Sequence, residues 1–195
     1  TMPAISLLME SVRMQDELPM LKERLPDSER VFRQKAAQLA GWGSELPAGH
    51  GRGIALVEAF GTIVAEVAEV EVTAERQIRV HRVVAVVDCG EVIHPDTATA
   101  QIEGGIVFGL AAALFDEITI EKGRVVQSNF HDYPVPRISD TPRIEVQFIR
   151  SGAPLGGLGE PGVPPIAPAV ANAVFAATGE RLRTLPLRPQ PIPPK

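Results

Sequence analysis

The stretch from Ile78 to Val87 constrains the fold more than any other. Ile78 and Val80 alternate with Arg79 and His81, and Val83–Val87 then runs apolar without a break. Alternation marks a half-buried strand, and an unbroken apolar run marks a strand covered on both faces. Such a strand needs a partner. Upstream, Ala68, Val70 and Val72 alternate with Glu69, Glu71 and Thr73. With Ala74–Gln77 as the turn, residues 54–88 are predicted to form one long β-hairpin. LPAGHGRG at 46–53 reads as the loop before it.

Three helices are predicted beside this hairpin. Pro26-Asp27 opens the first, with Asp27 as N-cap. Val31, Phe32, Ala36, Leu39 and Ala40 share one face, and Gly41-Trp42-Gly43 ends the helix with Trp42 as a packing anchor. Pro95-Asp96 opens the second, with Ile102, Ile106, Leu110, Ala113 and Leu114 as its apolar stripe. Gly104, Gly105 and Gly109 lie inside it, each costing about 1 kcal/mol against alanine. Their presence implies that another backbone or a ligand comes very close. In the third, Ile166, Ala169, Val170, Ala173, Val174 and Ala177 make the cleanest helical face, with Pro164 and Pro165 near the first turn and Gly179 as the stop.

A second hairpin is expected over 117–126 around Glu121-Lys122-Gly123, then an irregular segment at 129–137 and a strand at 143–149. The fold class is therefore α+β, with the hairpins and the 143–149 strand in one mixed sheet and the helices at 96–115 and 165–178 packed on it. Residues 1–26 read as a helical arm or linker, 27–187 as the folded body, and 188–195 as an extended proline-rich tail.

Composition removes several functions. The net charge is −5 with no basic cluster, which leaves no electrostatic footprint for nucleic acid or an anionic membrane. No apolar run in the sequence approaches the roughly 18–20 residues of a membrane span. The single cysteine, Cys89, excludes an internal disulfide, a cysteine-based zinc site and an iron–sulfur cluster. The four histidines have no ligand spacing, so no protein metal site is expected. Asp88 at a strand end reads as a cap for the next turn, His81 as surface, and Tyr133 as packing for its proline-rich segment.

The chemistry points to GGLGEPGVPP at 156–165, where Glu160 is the one ionisable residue among glycines and prolines. The glycines let a bulky group approach the backbone, and Pro161 biases Glu160 toward an extended conformation. The helix that follows favours an ionised carboxylate, and burial would oppose it. By composition alone this is a general base or a solvated glutamate in a turn.

Taken together, GRGIALVEAFGTIVAEVAEVEV, VVAVVDCGEVIHPDTATAQIEGG, QIEGGIVFGLAAAL, NFHDYPVPR and GGLGEPGVPPIAPAVANAVFAATG resemble the C-terminal part of the molybdopterin-binding subunit of the xanthine dehydrogenase/aldehyde oxidase family. The likeness, over about residues 42–187, is strongest toward the isoquinoline 1-oxidoreductase beta subunit and aldehyde dehydrogenase-like relatives. It implies that Glu160 lies beside molybdenum and deprotonates a metal-held hydroxyl that attacks an electron-poor carbon. It implies that Gln101, Gly157 and Gly159 line the molybdopterin. The family's other cofactor loops have no counterpart here, so the chain is expected to hold one wall of the site and to bind the cofactor poorly by itself. The resemblance also implies a small partner subunit with two [2Fe–2S] clusters, an N-heterocycle or aldehyde as substrate, and in some relatives twin-arginine export. Missing upstream sequence should expose an apolar face and favour self-association. The alternative is a non-catalytic scaffold or docking domain.

Overall fold

The computed structural model describes residues 27–190. The predicted arm at 1–26 and residues 191–195 of the tail lie outside the described residues.

β1 (His50–Ala59), β2 (Thr62–Val72) and β3 (Ile78–Asp88) form an antiparallel meander. The single hairpin expected over 54–88 is thus three strands. Phe60 and Gly61, at φ 55° and 72°, make a tight turn inside the stretch 54–72 that reads as continuously strand-like. Two successive positive-φ residues match the twist of flanking strands, so the turn is favourable even with phenylalanine first. Pairing also runs back from Gly53 to His50, so the second half of the predicted 46–53 loop is strand.

β6 (Arg143–Phe148) adds parallel to β3, giving the order β1-β2-β3-β6. The crossover to it carries α2 (Pro95–Leu114) and the short β4 (Ile120–Glu121) and β5 (Arg124–Val125). This second hairpin pairs only with itself, against the expectation that it would extend the main sheet. Its strands are two residues long and exposed throughout, and the one cross-strand apolar pair, Ile120 with Val125, stays open to solvent and is not packed on the main sheet. Arg82 donates to both carboxylate oxygens of Glu145 at 2.8 and 3.0 Å, pinning β3 to β6, and donates to the Leu39 carbonyl at the end of α1 (Asp27–Leu39).

The α+β class is as expected, and the unbroken run in β3 has the predicted double cover. Val83, Ala85 and Val87 face α2 and α3 (Ile166–Thr178), whereas Val84 and Val86 face α1. On α1 the buried stripe is Phe32, Ala36 and Ala40, spaced by four. Val31 and Leu39, expected on that face, are exposed, and Trp42 is 37% exposed where a packing anchor was expected. α2 is long and apolar enough to cross a membrane by length and composition, which the sequence reading overlooked. In this fold its Ile102, Ile106 and Leu110 are buried in the core shared with α3.

α3 rests on β1 backbone to backbone. A Cβ on Gly53 would stand 2.1 Å from the Ala169 carbonyl oxygen and 2.2 Å from the Ala173 nitrogen, and one on Gly51 2.2 Å from the Ala173 oxygen. Buried Asn172 donates to the Ile54 carbonyl at 3.0 Å across the same contact. Of the three helical glycines in α2, Gly109 has the close neighbour anticipated for all of them, since a Cβ there would meet Ile166 at 2.5 Å and Val163 at 2.6 Å. Gly105 has ordinary clearance, and Gly104 faces open space.

One polar group sits oddly in this core. Glu66, opposite Ala55 and Ala85 in the sheet, is fully buried, and neither carboxylate oxygen has a hydrogen-bond partner among the described residues. Burial pushes its carboxyl well above the usual glutamate range. The fold therefore holds the neutral acid.

Two outcomes are expected. Gly53→Ala should destabilise the chain by about 2 kcal/mol or more in chemical denaturation, because backbone on both sides must move. The contribution of Glu66 to stability is complete below the ordinary glutamate pKa and lost as pH rises toward its elevated folded value. Thermal melts of Glu66→Gln should accordingly fall less between pH 5 and 9 than those of the parent, a range set by a raised carboxyl pKa.

Candidate active site

The segment between β6 and α3 crosses the ends of β3 and the β1–β2 turn before entering the helix. Its path is fixed by hydrogen bonds to distant parts of the chain. The Ile149 amide donates to the Val87 carbonyl at 2.8 Å, Gly156 to Cys89 at 2.9 Å, and Gly157 to Phe60 at 2.9 Å. The Thr62 hydroxyl donates to the Gly157 carbonyl at 2.7 Å. No side chain fits between loop and turn at Gly156, where a Cβ would lie 2.3 Å from the Thr62 hydroxyl and 2.4 Å from the Gly61 oxygen. Gly157 is close but less tight, at 3.2 Å from the Phe60 Cβ.

Beyond this fastening the chain changes character. Gly159 has nothing within 4 Å of where a Cβ would stand, and its carbonyl accepts from Gln101 Nε2 at 2.9 Å. Gln101 lies in the second turn of α2, so the helix and the loop meet through two of the residues singled out from sequence. Glu160 follows with its side chain exposed, while its carbonyl accepts from the Val163 amide at 2.8 Å in a tight turn. Pro161 and Gly162 are buried, with Gly162 lying against the Ile102 carbonyl of α2. The arrangement is an exposed carboxylate on a loop gripped on both sides. Glu160, Gln101 and Gly159 come together, whereas Gly157 has both backbone polar groups engaged by protein.

Other candidates resolve into local roles. Asp88 accepts from the Gly90 amide at 3.1 Å, the turn cap expected of it. Burial first, and the Asp88 charge second, push the Cys89 thiol up, which keeps it protonated and unreactive. His94 is the N-cap of α2, accepting from the Thr97 amide at 3.2 Å. Amides of Asn129 and Ser128 draw the Asp132 carboxyl down to about 2, making it the clasp of its loop. Desolvation, then Asp116, raises the Tyr133 hydroxyl. One grouping escaped sequence reasoning: His50, Glu71 and His81 place ligand atoms within 4.8 Å of one another at the far end of the sheet. They come from three strands, and only the strand register brings them together.

Residues 33–142 match the sequence profile of the molybdopterin cofactor-binding domain family. The isoquinoline 1-oxidoreductase subunit beta of Brevundimonas diminuta is 38% identical over 157 residues, covering 78% of this chain and 20% of that protein. Among solved structures, quinoline 2-oxidoreductase from Pseudomonas putida 86 superposes with a TM-score of 0.59 at 28% identity, over 64% of this chain and 17% of that one. Aldehyde oxidoreductase from Desulfovibrio gigas superposes with a TM-score of 0.56 at 25% identity, over 64% and 14%. The chain thus spans about a fifth of the curated relative's length.

The grip on the loop is open to measurement. Thr62→Val removes the bond to Gly157 while keeping shape, and should cost about 1 kcal/mol of stability. Hydrogen exchange at the Gly156 and Gly157 amides should quicken more than exchange in α3; a uniform change would mean that the loop is held by other contacts.

Proposed function

The chain belongs to the molybdopterin cofactor-binding domain family, and from that premise we propose that it forms one wall of the reaction site of a molybdenum hydroxylase, with Glu160 as the catalytic base. The observation that carries this reading is the hydrogen bond from Gln101 to the Gly159 carbonyl. It ties the start of α2 to the glycine loop beside an exposed carboxylate.

The residues present suit a pterin. Gln101 spends one N–H on Gly159 and retains its second N–H and its Oε1, a donor–acceptor pair that matches a pterin edge. The open flank of Gly159 lets a flat group lie against backbone. Gly157, with its amide and carbonyl engaged, offers only its Cα surface. When bound, the molybdenum cofactor supplies a two-electron acceptor and acidifies the water that is the source of oxygen. Glu160 accepts the proton released in that activation. Its backbone is held by the Val163 amide and the neighbouring proline, so the carboxylate is presented by a fixed strap.

The relatives' names support an N-heterocycle or an aldehyde as substrate. Cys89 is the one cysteine in this chain and is buried, so the chain holds no cluster by its own thiolates; the family resemblance supports a small partner subunit with [2Fe–2S] clusters as the electron acceptor. The remaining walls of the site belong to the rest of the subunit. Because the candidate cofactor contacts come from two short segments, the 195-residue chain alone is expected to hold the cofactor weakly; stoichiometric molybdenum in the purified chain, with substrate-dependent dye reduction, would refute that expectation.

In the complete enzyme, Glu160→Gln should lower kcat about 1,000-fold while molybdenum content stays at the parent level. Near-parental turnover by that variant would refute the assignment.

A further inference from the structure

We propose that His50, Glu71 and His81 form a binding site for a divalent transition metal of the zinc class, clamping β1, β2 and β3 together at the end of the sheet away from Glu160. His50 stands directly opposite Glu71 in the β1–β2 register. His81 reaches the same face by an irregularity in β3. Glu69 pairs with Arg82 and Val70 with Val80, which leaves His81 as the extra residue between two pairs. A bulge of this kind re-aims a side chain. The strict alternation of a regular strand would send His81 to the opposite face from Arg82; here it lies beside Glu71, with Nε2 3.1 Å from the carboxylate.

Two imidazoles and a carboxylate are a donor set that zinc takes. Their ligand atoms all lie within 4.8 Å of one another, and the two imidazoles stack with centroids 5.3 Å apart and planes 17° from parallel. Bonds of ~2.0 Å to a tetrahedral ion require ligand atoms roughly 3.3 Å apart, so on binding the two rings turn about their Cβ–Cγ bonds out of the stacked arrangement and bring both in-plane lone pairs onto the ion. His50 Nδ1 is 3.3 Å from the Ala48 carbonyl, and a carbonyl can only accept. That nitrogen therefore carries the proton, and the Nε2 lone pair is left for a ligand. Metal-bound histidines are oriented by the same outer contact. Side chains 44% exposed at His81 and 29% at Glu71 leave a fourth position open to water or another donor. With strands advancing ~3.3 Å per residue, the site lies about 30 Å along β1 from the Phe60 turn that supports the glycine loop.

The test is a titration of the untagged chain with zinc chloride by calorimetry, with cobalt(II) absorption as the structural readout. One equivalent of zinc should bind in the micromolar range, and cobalt should give the intense visible bands of tetrahedral coordination. His50→Ala and His81→Ala should each weaken binding tenfold or more, and His131→Ala should leave it unchanged. Saturating zinc should raise the Tm on the order of 5 °C in the parent. The size-conserving His81→Gln, whose metal-free Tm should match the parent, should lose that rise. Absence of saturable zinc binding, or parental zinc affinity retained in the His50 and His81 variants, would overturn the proposal and leave a surface imidazole–carboxylate pair.

Discussion

The contact between α3 and β1 governs the rest of the molecule. Helices usually stand about a side-chain's thickness off a sheet, but Gly51 and Gly53 remove that layer and let the turns of α3 at Ala169–Ala173 rest on strand backbone. What is lost in side-chain burial is recovered as close dispersion contact and a buried hydrogen bond from Asn172 to Ile54. The helix is thereby fixed in height and rotation, and its first residue is the anchor of the glycine loop. α2 then packs against that helix through Gly109, and Gly162 settles on Ile102. The placement of Glu160 is the last term in a series of backbone-to-backbone approaches.

Polar chemistry is distributed around this frame with little overlap. The strong pairs, Arg82 with Glu145 and Arg52 with Glu69, lie on the α1 face of the sheet and tie neighbouring strands. The glycine loop carries open backbone and Glu160 as its one carboxylate, which is exposed. Between them lies Glu66, a buried neutral acid in a site where an apolar residue would be expected to pack at no desolvation cost.

Sequence disclosed the parts governed by local periodicity. The double cover of Val83–Val87, the stripes of α2 and α3, the stop at Gly179 and the cap at Asp88 all follow from spacing and side-chain type. The Phe60-Gly61 turn was hidden because strand-like residues continue on both sides of it with no Asn-Gly or Asp-Gly signal between them. The lone hairpin at 120–125 was overjoined because its turn chemistry says nothing about what it packs against. Parallel pairing of β3 with β6 depends on a crossover of more than fifty residues, which no local pattern encodes. At the candidate site, Glu160 and Gln101 were legible only through their company of motifs; their meeting through Gly159 is a tertiary fact. The histidines on β1 and β3 were illegible for a sharper reason, since one extra residue in β3 decides which way His81 faces.

The fastenings of the glycine loop also bear on the order in which the molecule assembles. The Thr62–Gly157 bond spans 95 residues and the Gln101–Gly159 bond 58. Contacts of such length close large loops of chain and carry a high entropic barrier until the intervening elements are in place. The meander and its helices can form from nearer neighbours, but the strap bearing Glu160 has nothing to hold it until β1–β2 and α2 are docked. The surface offered to a cofactor is therefore a late product of folding, which couples readiness to accept it to completion of the domain.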